Sequence, residues 1–130
     1  MPDLRRISTG AVWEDRYGYS RAIRAGNLVF FTGTAPPVVD GAVVHPGDAY
    51  AQTLACYAII EKGLAQLGLT RTNIVRCRMF VTDIQANADA HGRAHKAFFA
   101  DHKPCLTMVG GAQLIDPAML VEIEIDAVTD

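Results

Sequence analysis

From Val121 onward the chain alternates with a period of two: Val121, Ile123, Ile125 and Ala127 fall on one side of an extended strand, Glu122, Glu124 and Asp126 on the other. Three carboxylates in a row would repel one another for no gain on a strand that met only water, so the acidic side implies something opposite it. The stretch from His102 to Asp126 reads as two apolar strands joined by a turn, the closing hairpin of a sheet. Ile74 to Val81 is another two-sided strand, with Val75, Cys77, Met79 and Val81 on one face and Ile74, Arg76, Arg78 and Phe80 on the other. Nearer the start, Leu4 to Ser8 and Tyr19 to Arg24 are short strands separated by the polar run Glu14-Asp15-Arg16. Ala25-Gly26-Asn27 is a hairpin turn, since Gly and Asn accept the positive φ of a tight turn, and Leu28 to Phe31 returns as a buried strand. Pro36-Pro37 cannot donate to a ladder, and Val38 to His45, split by Asp40-Gly41, reads as a small flap.

Two segments carry the helical period instead. Asp48 is placed to cap a helix in which Tyr50, Leu54, Tyr57, Ile60, Leu64 and Leu67 recur at steps of three and four, with Gly68 as the stop. Asn87 to Phe99 forms the second, with Ala90, Ala94, Ala97 and Phe98 inward and Pro104 barring its continuation. This order of elements predicts an α+β fold, one mixed sheet with both helices on one face. The other face carries Arg76 and Arg78 against Glu122 and Glu124, with Phe80 and Leu120 between them. Such a face is too mixed for a core, and a homo-oligomer would cover it by pairing acid with base.

Composition narrows the class. The 130 residues, half of them apolar, form one domain spanning 1–130, without a linker or repeat. Cys56, Cys77 and Cys105 are an odd number without a Cys-x-x-Cys pair, which fits reduced thiols in a cytoplasmic protein. No signal-peptide core and no run of ~20 apolar residues is present, so no membrane partner is expected. A formal charge of -2 supplies no basic field for phosphate, which argues against nucleic acid as a partner.

Several residues could carry chemistry. On an extended strand Tyr19 and Arg21 share a face roughly 6.6 Å apart and could wall a small acid-binding pocket; an aromatic resting on its neighbour beside a solvated arginine is the plainer alternative. Glu122, beside apolar strands, could have a raised pKa and move a proton, or could simply pair with Arg76 or Arg78. His91 and His95 have the spacing of two metal ligands on a helix. Gly92 stands where a zinc-protease helix has its glutamate, however, and no third ligand is evident, so no metal and no cofactor is expected. Cys105 follows Pro104 at a strand start with no base placed for it, and packing is its expected role.

At Tyr19, at Phe31-Thr32-Gly33-Thr34-Ala35-Pro36 and above all at Val121-Glu-Ile-Glu-Ile-Asp126, the chain resembles the RidA family, also called YjgF-type or endoribonuclease L-PSP proteins. The resemblance covers essentially the whole chain. It implies a chorismate-mutase-like fold, a homotrimer, and ligand clefts between subunits in which reactive enamines and imines such as 2-aminoacrylate are hydrolysed to a keto acid and ammonia. The family's pocket tyrosine falls on Tyr19, its serine or threonine before glycine on Thr32, and its water-positioning glutamate on Glu122. The arginine that clamps the substrate carboxylate falls on Leu106, followed by Thr107, and an asparagine of the second helix falls on Gly92. This chain therefore lacks the usual clamp. Its loss would cost on the order of ten- to a hundredfold in binding a 2-imino acid.

Three functions compete: hydrolytic deamination with Glu122 and Tyr19 as catalytic groups, binding of a small metabolite such as a keto or imino acid without turnover, and the endoribonuclease activity of the old family label. An anionic ligand would still require a guanidinium. Arg21, beside Tyr19, is the first candidate and Arg78 the second, each with a plain salt bridge or solvated charge as its alternative.

Overall fold

The computed structural model describes residues 3–130. Strands β1 (Leu4–Ile7), β2 (Ala22–Ala25), β3 (Leu28–Phe31), β6 (Ile74–Val81), β7 (Cys105–Val109) and β8 (Val121–Val128) form one sheet in the order β1-β2-β3-β8-β6-β7. The flap is a separate hairpin of β4 (Val38–Val39) and β5 (Ala42–Val43). Helices α2 (Ala49–Ala65) and α3 (Ile84–Phe99) pack together and on the sheet, giving the expected α+β architecture with one main mixed sheet. The carboxylate of Asp48 caps α2 by accepting from Ala51 N at 3.0 Å.

The alternation of β8 is exact in burial: Val121, Ile123, Ile125 and Ala127 are sealed in the core with Val29, Cys77, Met79 and Val81 beneath the helices. Each fully buried Val, Ile or Met side chain among them contributes about 1.5–3 kcal/mol. On the opposite face the acids meet bases of the same chain. Arg78 reaches Glu124 at 3.3 Å and Asp126 at 2.9 Å, and Arg76 lies 3.9 Å from Asp126. Glu124 and Asp126 therefore need no pairing between copies to be neutralised.

The closing hairpin is not formed. β7 runs parallel to β6, and β8 lies antiparallel between β3 and β6. A parallel neighbour requires a crossover, and α3 supplies it, so β6, α3 and β7 are one unit and β8 closes the sheet in its middle. Alternation fixes which face a residue takes and says nothing about which strand lies beside it.

At the start of β6 the assigned faces are exchanged: Ile74 is buried and Val75 exposed. The ladder slips between Ile74 and Arg76, and Val75 is the extra residue of a bulge. In α3 the inward stripe is His91, Ala94, His95, Phe98 and Phe99, whereas Ala97 is exposed. Residues 12–17, expected as a polar connection, form a short helix α1 (Val12–Tyr17), so β2 begins only at Ala22. Cys105, expected in the packing, is exposed on the edge strand, while Cys56 and Cys77 are buried, the latter thiol pushed up to about 12 by burial.

The two histidines face the partner helix. His91 Nδ1 meets Thr53 Oγ1 and His95 Nδ1 meets Tyr57 Oη, both at 2.7 Å. Burial lowers the pKa of both imidazoles. A histidine whose folded pKa is depressed binds protons more readily in the unfolded chain, so stability is lost as pH falls below the unfolded value of about 6.5 toward the folded one. Urea denaturation at pH 7.5 and pH 5.5 is expected to show lower stability at the acid value, with His91→Gln flattening the dependence. The carboxyl of Glu122, whose pKa burial raises, acts with the opposite sign.

Candidate active site

The site is built where β2 and β3 leave the sheet. A cavity of 640 Å³ opens there between α1, the segment from Gly33 to Val38, and Ile59 and Lys62 of α2, with Ile115, Met119 and Glu122 on its remaining side. Tyr19, Arg21 and Glu122 line it together. Strand periodicity is not what unites the first two, since both precede β2; the turn that ends α1 does. Gly18 takes the left-handed conformation at φ 74°, and the amides of Gly18 and Tyr19 both donate to Glu14 O, at 2.9 and 3.0 Å.

Arg21 is buried, 7 % exposed. Its Nη1 donates to Gly33 O at 2.9 Å and to Thr34 Oγ1 at 3.0 Å. Its Nε has no hydrogen-bond acceptor among the described residues and lies 3.9 Å from Glu14 Oε2, while the guanidinium carbon stands 6.0 Å from the centre of the Tyr19 ring. Glu14 in turn accepts from the Thr9 amide at 3.3 Å and the Thr9 hydroxyl at 3.2 Å. Burial alone would raise its pKa, but hydrogen bonds from Ser8 and Thr9 and the Arg21 charge outweigh that and hold the carboxyl below its usual range. Arg21 therefore has a positioned cationic head rather than the solvated edge charge that was the plainer alternative.

Glu122 enters from β8 with its Cα opposite Phe80. It makes no ion pair among the described residues, because Arg78 and Arg76 are taken by Glu124 and Asp126. Burial raises its pKa, assisted by the negative Glu124 and opposed by Arg21. Its carboxyl lies against Gly33, where an added Cβ would fall 2.9 Å from Glu122 Cδ, so a side chain there would displace it. Thr34 N donates to Ile123 O at 2.8 Å and Ile123 N to Thr34 O at 2.9 Å, stitching this segment to β8 beside the glutamate. On the other flank, buried Gln52 donates to Ala118 O at 3.0 Å and accepts from Leu120 N at 2.8 Å, fixing the approach to β8.

The remaining expected residues are placed elsewhere. Thr32 adjoins the cavity through its backbone, donating from N to Arg21 O at 3.0 Å, and does not line it. Leu106 and Thr107 sit on the edge strand β7, two strands from β8, and Arg78 is held in its ion pairs; none of the three lines the cavity. Sequence reasoning passed over Glu14, Thr34, Trp13, Tyr17, Ile115 and Met119. The single tryptophan of the chain, set beside the polar run, was the available signal.

This is a six-stranded α+β fold with an arginine and a carboxylate of raised pKa facing one apolar-walled cleft. The family described as Endoribonuclease L-PSP matches residues 13–129, and the chain belongs to that family. It is similar to a crystal structure from Mycobacterium tuberculosis, a member of the highly conserved YjgF/YER057c/UK114 family, with 38 % identity, a TM-score of 0.85 and coverage of 98 % of this chain and 100 % of that one. Yeast Mmf1 superposes with a TM-score of 0.83 at 26 % identity over 98 % of this chain and all of its own. The 3-aminoacrylate deaminase RutC of Acinetobacter baylyi is 30 % identical over 105 residues, 81 % of this chain and 82 % of that protein. No described helix is long and apolar enough to cross a membrane.

Proposed function

We propose that the protein hydrolyses a small enamine or imine that bears a carboxylate, in a cleft where Glu122 is the base that activates water. The observation that carries this reading is Glu122 itself, a carboxylate with a raised pKa, no ion pair among the described residues, and an arginine on the same cavity wall. A general base works best with its pKa near the operating pH. An enamine first takes a proton at its β-carbon and gives one up from nitrogen, which converts it to the imine. Water then adds to the carbon of the C=N bond and gives its proton to Glu122. The C–N bond then breaks, the nitrogen takes protons and leaves as ammonia, and the carbon becomes the carbonyl of a keto acid. Arg21 receives the substrate carboxylate, for which Leu106 at the usual clamp position is unsuited, and Tyr19 closes the cleft.

The name of the RutC relative, an aminoacrylate deaminase, supports an enamine with a carboxylate as the substrate class. We further propose a homotrimer in which the open sheet face, with Phe30 and Leu28 exposed on it, is covered by neighbouring copies. That arrangement would bring edge residues such as Leu106 and Thr107 toward the cleft of an adjacent subunit. Sedimentation equilibrium at micromolar concentration is expected to give three times the 14.1 kDa chain mass; a monomer would overturn the trimer. The activity is tested by ammonia release from freshly generated 2-aminoacrylate, where the wild-type chain is expected to accelerate hydrolysis and Glu122→Gln to lose most of that acceleration. Equal rates with and without protein would defeat the hydrolase and favour a binding role.

A further inference from the structure

We infer that the ligand of this cleft carries a bulky apolar group, of the size of an aromatic ring, behind its carboxylate. The inference rests on reading the site as a hydrolase cleft and names its substrate class more narrowly. The chemistry proposed above engages only Arg21, Glu122 and Tyr19, which a three-carbon imino acid would satisfy. The part of the cleft that a single chain forms is nevertheless 640 Å³, within the range of ~300–1,000 Å³ that encloses drug-sized ligands.

Its outer wall is apolar and built in an unusual way. A surface helix ordinarily buries its apolar side and exposes its charges. Helix α1 departs from that pattern: its buried residue is the carboxylate Glu14, anchored on Thr9 beside Arg21, and Val12, Trp13 and Tyr17 are exposed along with Asp15 and Arg16. The rings of Trp13 and Tyr17 lie parallel, 4° apart, with centroids at 5.6 Å. Across the opening stands Ile115, 76 % exposed. Six of the twelve exposed large apolar residues among those described, Val12, Trp13, Tyr17, Tyr19, Val38 and Ile115, line this one cavity. Apolar residues scattered singly need no explanation, but a cluster around a charged floor marks a ligand with a greasy end and an anionic one. The carboxylate is placed at Arg21 and the ring between the α1 lip and Ile115. The fitting substrates are the imines or enamines of aromatic 2-amino acids.

Calorimetric titration with phenylpyruvate and with pyruvate, keto acids that share the carboxylate and differ in the ring, tests this directly. Phenylpyruvate is expected to bind about tenfold more tightly or better, since full burial of an aromatic side chain is worth at least that factor. Trp13→Ala and Ile115→Ala, each checked for an unchanged thermal midpoint, are expected to reduce the ratio severalfold. Equal affinities in the wild type, together with Glu122-dependent ammonia release from 2-aminoacrylate, would overturn the inference and leave the hydrolase reading standing. Absence of binding by either keto acid, with no turnover, would overturn both. A change of sedimentation coefficient on Trp13→Ala would also overturn it, by showing the lip to be a contact between copies.

Discussion

Replacing Glu122 by glutamine is expected to lower ammonia release from an imine substrate by on the order of 10²–10⁴-fold, the usual contribution of a positioned general base. The same substitution is expected to raise stability at neutral pH. The folded pKa of Glu122 is raised above the ordinary carboxylate value, chiefly by burial. Between the unfolded value of about 4.3 and the folded one, the native protein holds a proton that the unfolded chain releases, so stability falls as pH rises through that window and the deficit persists above it. Glutamine has no such deficit. Thermal melts at pH 4 and pH 8 should therefore show little difference between variant and wild type at the acid value and a higher midpoint for the variant at the alkaline one. A structural ion-pair member would behave oppositely, losing stability at pH 8 on substitution. A retained ammonia rate in a folded Glu122→Gln protein would remove the carboxylate from the mechanism.

The second large effect concerns the core beneath the sheet. Tyr57 is fully buried, stacked on Phe98 with centroids 4.6 Å apart, edge-on to Phe99 at 5.2 Å, and bonded through its hydroxyl to His95. Tyr57→Ala is expected to cost about 3–5 kcal/mol, the range for removing a buried aromatic ring, because the surrounding rings cannot collapse fully into the space. Tyr57→Phe keeps the ring and leaves His95 Nδ1 without its partner, which costs about 1–3 kcal/mol. Urea denaturation of the two variants separates the contributions. A Tyr57→Phe loss equal to that of Tyr57→Ala would mean that the hydroxyl, not the packing, holds α2 to α3.

Much of the architecture was legible in one dimension. Period two along β8 and along β6 past its bulge gave the buried and charged faces, because successive side chains of a strand must point opposite ways. Asp48 and the three-and-four spacing after it gave α2, since capping and helical periodicity are local properties. Glu122, Tyr19 and Arg21 were nameable as candidates for the same reason: their residue types and their neighbours along the chain carry the signal. The bulge at Val75 and the parallel placement of β7 were not legible, because both depend on which strand lies alongside, a choice made by the packing of the whole sheet.

The sequence by itself determined the α+β class, the two main helices, the acidic strand and a short list of candidate side chains, all consequences of local periodicity and side-chain chemistry. Only the tertiary structure decided which of those side chains meet. It turned His91 and His95 onto Thr53 and Tyr57 of the facing helix. It gave Arg78 to Glu124 and Asp126 and so left Glu122 without an ion pair among the described residues. It folded residues 12–17 into a helix whose carboxylate lies near Arg21 and whose aromatic rings form the lip of the cleft. Contacts between residues distant along the chain are set by packing and charge pairing in three dimensions, and no spacing in the sequence encodes them.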